Sequence, residues 1–282
     1  MTKRPSLRPA GEDGPRFGLL EAGLWMLGTM LAFSLVVMLI GATSPDALKD
    51  LVTLGGLSAI AFLLASAFLL GPAGRPNTLA FRPVPAFLVL VSFFCGALSQ
   101  IPARRIAVLM ESISPSPPSE IAERAAMLRP TSVTHGVMLA VILVVLVPLA
   151  EEVFFRGAIF GSLRQGGKTL LAAAVISGAG FLLSHLEPKL WPALGVVAAV
   201  LSALRALSGS LIPSLAFHIG FNGFAVLDGT FELFGPPEHF SLSGEPELFI
   251  SAGVVLTLAL LFLFVGRDTK SARRRALDRG LS

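Results

Sequence analysis

The sequence predicts an all-α membrane protein, a polytopic bundle of about eight transmembrane helices with a polar cavity inside the membrane. Hydrophobic residues make up 54% of its 282 residues and charged residues only 14%, so most of the chain is unsuited to contact with water. Apolar runs of about twenty residues, each long enough to cross the hydrocarbon layer, recur along the chain. A small set of ionisable residues lies inside these runs, where charge is costly.

Eight apolar runs define the predicted spans, and all are predicted to be helical because backbone in contact with lipid must satisfy its own hydrogen bonds. They cover residues 17–42, 48–70, 84–101, 136–162, 169–186, 190–207, 210–227 and 248–265. The longest polar insert, Pro102 to Thr134, is predicted to contain a short interfacial helix from Glu120 to Leu128. The first run is too long for the apolar core of a signal peptide, so it is predicted to stay in the protein.

The basic residues indicate membrane orientation rather than a nucleic-acid surface. The net charge is +4, but Lys and Arg cluster at the ends of apolar runs without aromatic residues between them, so no nucleic-acid partner is expected. Most of the 22 Lys and Arg residues fall in the tails 1–16 and 266–282 and in loops or span ends predicted on the same side, including Arg205 at the end of the span 190–207. The positive-inside rule therefore predicts a bundle over 17–265 with both termini in the cytoplasm, typical of a bacterial inner-membrane protein embedded in the lipid bilayer.

Three of the predicted spans carry ionisable or amide side chains at membrane depth. An ionisable group there costs about 2.5–3.5 kcal/mol even on lenient insertion scales, so each one needs a structural or functional reason. The fourth, fifth and seventh spans contribute Glu151, Glu152, Arg156, His185, His218 and Asn222. A helix bundle can direct these side chains into one cavity.

Spacing along the helices predicts which of these side chains share a face. Residues four apart do so, which pairs Glu152 with Arg156 and His218 with Asn222. Glu151 points about 100° away from Glu152, so one glutamate is expected to pair with the arginine while the other stays free for chemistry. A carboxylate in an apolar site near a histidine can take a proton from water, and a histidine with an amide can stabilise an oxyanion. The set is therefore suited to hydrolysing a peptide bond without a covalent intermediate.

Each of these groups also has a purely structural interpretation. A buried Glu and Arg often form a structural ion pair, and an asparagine often joins membrane helices by hydrogen bonds. Buried ionisable residues also build proton or substrate paths, so a transporter or a scaffold with a buried polar network is the alternative function. The joint occurrence of two glutamates and two histidines favours an enzyme, because structure alone does not require that set. The remaining histidines, His135 and His239, are predicted to lie at the surface.

Three short motifs on these spans resemble those of the CAAX proteases and bacteriocin-processing enzymes, the CPBP or Abi family, also called type II CAAX prenyl endopeptidases. Residues Glu151 to Gly157 read Glu-Glu-Val-Phe-Phe-Arg-Gly and fit the family's EExxxR signature. Phe181 to His185 fit FxxxH, and His218 to Asn222 fit HxxxN. The resemblance covers about Val137 to Val226, and it implies an intramembrane protease whose substrate is a peptide or a membrane-anchored protein.

The resemblance also implies a role for each motif residue. Glu151 would activate water, with His185 assisting it. His218 and Asn222 would stabilise the oxyanion. The ion pair predicted above would brace the site.

The resemblance leaves the cofactor open. Family members have often been described as metalloproteases, and Glu151, His185 and His218 could together bind a divalent metal such as zinc. The HExxH motif of ordinary zinc proteases is absent, and the single cysteine, Cys95, lies in an apolar run where a buried core residue is expected. Water activated directly by glutamate, without a metal, is therefore the favoured prediction.

The rise along the helices predicts the depth of the site. With Arg164 and Lys168 at the inner boundary, Glu151 lies about 20 Å up its helix and His185 about 25 Å up the next, at 1.5 Å per residue. Both lie beyond the middle of a hydrocarbon core about 30 Å thick. The sequence therefore predicts a cavity that opens to the outer half of the bilayer.

Overall fold

The computed structural model describes residues 17–70, 76–233, 250–259 and 262. The regular secondary structure of this part of the chain is helical without exception, which confirms the predicted all-α bundle. Apart from the short helical segments Pro45–Lys49, Pro76–Leu79 and Pro188–Leu190, the helices are α1 (Leu19–Thr43), α2 (Leu51–Leu70), α3 (Ala86–Ile113, interrupted at Ser99), α4 (Pro118–Met127), α5 (Val133–Gln165), α6 (Leu170–Ser184), α7 (Trp191–Ser208), α8 (Ile212–Phe231) and α9 (Ile250–Ala259). The predicted basic tails and His239 lie outside the described residues.

Five of the described helices are long and apolar enough to cross a membrane, namely α1, α2, α3, α5, and α7 together with the turn before it. The chain is therefore an integral membrane protein. The other predicted runs correspond to α6 and α9, which are apolar but shorter, and to α8. That helix has 20 residues, but His218, Asn222 and Asp228 lower its hydropathy. The polar residues of α8 thus lower its mean hydropathy below the value that identifies a membrane-spanning helix.

α3 extends further than predicted. The predicted span ends at residue 101, whereas the helix continues as Gln100–Ile113. Its polar residues are bonded to α8, because Gln100 donates to the Phe221 carbonyl at 2.9 Å and Arg104 pairs with Asp228 at 2.5 Å. These partners allow a helix to continue through a segment that the sequence presents as a polar insert. The short helix predicted within this insert is present as α4, which begins two residues earlier than expected; its interfacial location stays a prediction.

An aromatic cluster joins α2, α5 and α6. Phe62 of α2 contacts Phe154 and Phe155 of α5, each with ring centroids 5.2 Å apart. Phe155 in turn contacts Phe181 of α6 edge to face, at 5.7 Å. Aromatic pairs of this kind contribute about 0.5–1.5 kcal/mol each beyond the area they bury. Because the cluster adjoins two of the sequence motifs, it fixes the helices that carry them relative to each other.

α1 lies at the edge of the bundle and buries few side chains, among them Ala22 and Thr29. A cavity of about 550 Å³ lies between parts of α1 and α2, and its lining is almost entirely apolar. The residues that line it include no titratable side chain, so the cavity is unsuited to acid–base chemistry.

α5 departs from regular α-helical geometry in two stretches. Ala140–Leu146 and Glu152–Ile159 are π-helical, and a short α-helical segment, Val147–Glu151, lies between them. π-Helical turns are rare and often occur at functional sites. The second stretch begins between the two adjacent glutamates, so the EExxxR motif lies on an unusual backbone.

α3 and α8 approach each other so closely that side chains are excluded. A Cβ atom added at Gly96 would overlap with the carbonyl of Phe217, and one added at Gly220 would overlap with the carbonyl of Phe93. Small residues at a helix crossing allow such close packing in membranes. The crossing therefore fixes the position of His218, two residues before Gly220.

The start of α5 is bonded to the start of α2 through Asp50 and His135. The Asp50 carboxylate accepts hydrogen bonds from the backbone N–H groups of Val52 and Thr53, and it lies 3.1 Å from Nε2 of His135. The N–H of Thr131 donates to the other ring nitrogen, so the His135 proton lies on Nε2 and points to Asp50. Burial raises the pKa of Asp50, but these hydrogen bonds lower that pKa by more, to below its ordinary value. His135 is thus a partly exposed structural residue, as predicted.

Candidate active site

A fully buried ion pair braces the EExxxR motif. Arg156 Nη1 lies 3.0 Å from Glu152 Oε1, and neither side chain has exposed surface, which confirms the predicted pairing. The Arg156 guanidinium also donates to the carbonyl of Ala198 on α7 at 3.3 Å, and it lies 4.4 Å from the centre of the Phe181 ring. These additional contacts help to offset the cost of removing two charges from water.

His218 bridges the two glutamates of the motif. Its Nδ1 is hydrogen-bonded to Glu152 Oε1 at 3.3 Å, and its Nε2 lies 3.5 Å from Glu151 Oε2. Glu151 is 6% exposed and His218 is 3% exposed, so bulk water has little access to either. A continuous chain of charged and polar contacts therefore runs from Arg156 through Glu152 and His218 to Glu151. We call these four residues the relay.

The relay determines where its protons lie. Glu152 is paired with Arg156 and acts as a hydrogen-bond acceptor, so Nδ1 of His218 carries a proton. Nε2 of His218 and the Glu151 carboxylate then face each other, and two acceptors at this distance need a proton between them. Glu151 and His218 can therefore exchange a proton, which is the property required of a general base and acid.

His185 lies at the C-terminal end of α6, beside the relay. Its Nδ1 is 2.9 Å from the carbonyl of Phe181, and because a carbonyl only accepts, Nδ1 carries the proton and Nε2 is a proton acceptor. The Phe181 ring contacts the His185 ring at 4.8 Å and the His218 ring at 5.7 Å. No hydrogen bond or ion pair among the described residues joins His185 directly to Glu151. The two histidines instead share Phe181 as a common packing platform.

Asn222 lies one turn after His218 on α8 and bonds to the backbone of α5. Its Nδ2 donates to the carbonyl of Leu143 at 2.9 Å, within the first π-helical stretch. The structure thus brings four of the six predicted site residues into direct contact as the relay. It places His185 next to them and leaves Asn222 engaged in helix packing. The oxyanion role of Asn222 stays a prediction.

Two further residues contact the relay and were not predicted as part of the site. Phe181 entered the sequence interpretation only as a motif position, yet its ring packs against Arg156 and both histidines. Arg205, near the end of the predicted span 190–207, was expected to mark the inner boundary of the bilayer, but its side chain is buried. It is 6% exposed on α7, its Nε donates to the carbonyl of Arg156 at 3.1 Å, and its guanidinium lies 4.8 Å from the Phe160 ring centre. In a sequence, an arginine near the end of an apolar run has the position of a helix-end cation whose charge extends into water. Only the structure shows that this arginine is instead buried against a neighbouring helix.

The candidate zinc ligands do not form a three-ligand centre. In the described part of the chain, no three His, Cys, Asp or Glu side chains lie close enough together to share a metal ion. Both ring nitrogens of His218 face carboxylates, and the His185 ring is held by the Phe181 carbonyl. A zinc site needs at least three protein ligands whose lone pairs are directed at one point. We therefore assign no step of the chemistry to a metal ion.

A comparison with known families agrees with the motifs. Residues 133–224 match the family model described as type II CAAX prenyl endopeptidase Rce1-like. The matched segment begins at the start of α5, ends within α8 and contains all three motifs. No curated protein and no solved structure shows significant similarity to the chain. The matched segment, about a third of the chain, is thus similar to the Rce1-like type II CAAX prenyl endopeptidases, which supports the predicted resemblance to the CPBP family.

Proposed function

We propose that the chain is an endopeptidase that cleaves a peptide bond of a membrane-anchored protein with water activated by Glu151. The observation that supports this function is the buried relay, in which an ion pair orients His218 against a second carboxylate. General acid–base catalysis requires such a carboxylate and imidazole in proton contact, together with a third group that orients the imidazole. A purely structural scaffold does not require a carboxylate and an imidazole in proton contact.

Glu151 is the base of the proposed reaction. It takes a proton from water, and the resulting hydroxide attacks the carbonyl carbon of the scissile bond to form a tetrahedral oxyanion. When the C–N bond breaks, the proton passes to the leaving amine, and a carboxylic acid and an amine are released. While Glu151 acts as the base, the proton that it shares with His218 stays on Nε2 of His218, 3.5 Å away, so the carboxylate is free to accept the proton of water. The Arg156–Glu152 pair keeps the imidazole ring oriented, as a buried carboxylate does beside a catalytic histidine.

The remaining motif residues assist in the proposed mechanism. Nε2 of His185 accepts a hydrogen bond from the attacking water, because the Phe181 carbonyl holds the proton of that ring on Nδ1. The oxyanion is assigned to Nε2–H of His218 and to the Asn222 amide, which must leave the Leu143 carbonyl when substrate binds. Catalytic hydrogen bonds often form only in the complex with substrate.

The packing of the loops supports access from the outer half of the bilayer. Arg124 of α4 pairs with Glu187, two residues after His185, so α4 lies at the His185 end of the bundle. Phe17, at the start of the described chain, packs against Gly166 just beyond the far end of α5. With the amino terminus in the cytoplasm, the His185 end faces outward. A membrane-anchored substrate would therefore enter from that side.

Substitution of Glu151 tests the proposal. Purified protein in detergent micelles would be incubated with a pool of internally quenched peptides, and cleavage would be followed by fluorescence and mass spectrometry. We expect the wild-type protein to cleave and Glu151→Gln to lose about 10²–10⁴-fold in turnover, because the amide cannot accept the proton of water. Glu123→Gln, at an exposed position of α4, is the matched control and should cleave like the wild type. Near-normal turnover by Glu151→Gln would refute the role of Glu151.

The substrate itself is identified in cells. Membrane-anchored proteins would be compared between cells that express the wild-type chain and cells that express Glu151→Gln. A protein that keeps its anchor segment only in the second strain is a candidate substrate. If no membrane protein differs between the two strains and the purified protein cleaves no peptide, the endopeptidase proposal is wrong and the transporter alternative gains support.

A further inference from the structure

Arg205 is a buried cation that the mechanism above does not use. It is 6% exposed, and in the described part of the chain it forms no ion pair with a carboxylate. A charged side chain near a membrane core is costly without a partner, and a long arginine near a helix end normally extends towards water. Arg205 instead turns inward. Its polar contact is with the backbone of the helix that carries the EExxxR motif.

The contacts of Arg205 converge on the second π-helical stretch of α5. Its Nε donates to the carbonyl of Arg156, which lies within that stretch, at 3.1 Å. Its guanidinium lies 4.8 Å from the centre of the ring of Phe160, the residue that directly follows the stretch. A second hydrogen bond runs in the opposite direction, because the Arg156 side chain on α5 donates to the carbonyl of Ala198 on α7. Two arginines thus connect α5 and α7 in opposite directions.

We infer that Arg205 is a positioning residue, which holds the π-helical backbone that presents Glu151 and Glu152 to His218. The inference rests on the proposed function, since it assigns Arg205 to the same site. A π-helical turn bonds residue i to i+5 instead of i+4, so a return to regular α-helix would rotate the two ends of the stretch relative to each other by about one residue, or 100°. Both glutamates lie at the first end of the stretch, so they would turn together away from His218.

The first π-helical stretch provides an independent parallel. There, the Asn222 side chain of α8 donates to the carbonyl of Leu143. Each irregular stretch of α5 therefore has one backbone carbonyl bonded to a polar side chain of a neighbouring helix. The short α-helical segment that ends at Glu151 lies between these two attachment points.

Three variants separate positioning from general stability. Arg205→Met removes the donor but keeps an unbranched aliphatic side chain of similar volume, and Arg205→Lys keeps the charge and a donor group. Arg164→Met is the matched control, because Arg164 lies near the end of α5, as Arg205 lies near the end of α7, but is exposed and donates to the Lys168 carbonyl in a loop. Turnover would be measured on a peptide that the wild-type protein cleaves. Hydrogen–deuterium exchange would be measured on the same preparations.

We expect Arg205→Met to lower kcat about 10- to 100-fold while KM changes less than about twofold, because the substrate still binds but the base is misplaced. Arg205→Lys should recover part of the lost kcat, and Arg164→Met should match the wild type. Exchange of the amides in Glu152–Ile159 should accelerate about tenfold in Arg205→Met, while exchange in α1 stays unchanged. Wild-type kcat in folded Arg205→Met would overturn the inference, as would a loss that appears in KM alone.

The exchange measurement keeps this inference separate from the proposed function. If the wild-type protein cleaves no peptide while Arg205→Met loosens Glu152–Ile159 selectively, the proposed function fails and the positioning of the backbone by Arg205 stands. If exchange in that stretch is the same in both proteins, the inference fails whatever the activity.

Discussion

Removal of Arg156 is the most direct test of the relay. Arg156→Met keeps much of the side-chain volume but leaves the Glu152 carboxylate buried without a cation beside it. Breaking a buried pair in this way costs about 3–5 kcal/mol, because the remaining charge stays uncompensated. Both partners are fully buried at 3.0 Å, and the guanidinium also lies over the Phe181 ring, a contact that is worth up to about 2 kcal/mol. We therefore expect the free energy of unfolding to fall by about 4–6 kcal/mol.

A second variant removes both charges and keeps the test informative if the first one fails to fold. In Glu152→Gln/Arg156→Met the glutamine still accepts a hydrogen bond from His218 and neither charge of the ion pair stays behind without its partner, so stability should return to within about 2 kcal/mol of the wild type. The assay is unfolding of the purified protein in mixed micelles with increasing SDS, followed by tryptophan fluorescence. Arg129→Met is the control, because Arg129 forms an exposed pair with Glu232 and should matter far less. The reasoning is refuted if Arg156→Met unfolds within about 1 kcal/mol of the wild type, or if the double variant is no more stable than the single one.

Three further predictions concern packing, pH dependence and metal content. Gly220→Ala should displace α8, because the added Cβ overlaps with the Phe93 carbonyl, and should lower both the thermal unfolding midpoint and turnover; Gly28→Ala, whose added Cβ meets nothing within 4 Å, should change neither. Folding lowers the pKa of Asp50, so its contribution to stability is complete above the ordinary pKa of the carboxyl and is lost as the pH falls below it. Unfolding midpoints of the wild type and Asp50→Asn should therefore converge in acid, and a difference that is constant with pH would contradict this assignment. Elemental analysis of active protein should find no stoichiometric zinc, and zinc whose removal abolishes activity and whose return restores it would disprove catalysis by glutamate alone.

The helical class and the location of the site could be predicted because both depend on local features of the chain. The length of an apolar run predicts a membrane-spanning helix, and an ionisable residue within such a run is easily recognised. The pairing of Glu152 with Arg156 follows from residues four apart on one helix, and it is present at 3.0 Å. The three motifs also lie on three different helices, as their separation along the chain indicates.

The arrangement within the site could not be predicted because it depends on departures from regular geometry. With 3.6 residues per turn, adjacent glutamates point about 100° apart, yet both reach His218, because its two ring nitrogens lie between them at the point where a π-helical stretch begins. The sequence carries no clear signal for a π-helix. Arg205 and the second half of α3 were misassigned for a related reason. Each is polar near a predicted helix end, and its burial depends on partners from a distant part of the chain, such as the Arg156 carbonyl and Asp228.

The relay as a whole is electrically neutral. Arg156 and Glu152 cancel each other, and one proton shared by Glu151 and His218 leaves that pair without net charge on whichever residue the proton lies. Four ionisable groups can therefore lie within a bilayer at a smaller cost than isolated charges would incur. The transmembrane voltage acts on net charge, so it exerts little force on the resting site. Catalysis at this site should accordingly proceed at the same rate in polarised and depolarised membranes.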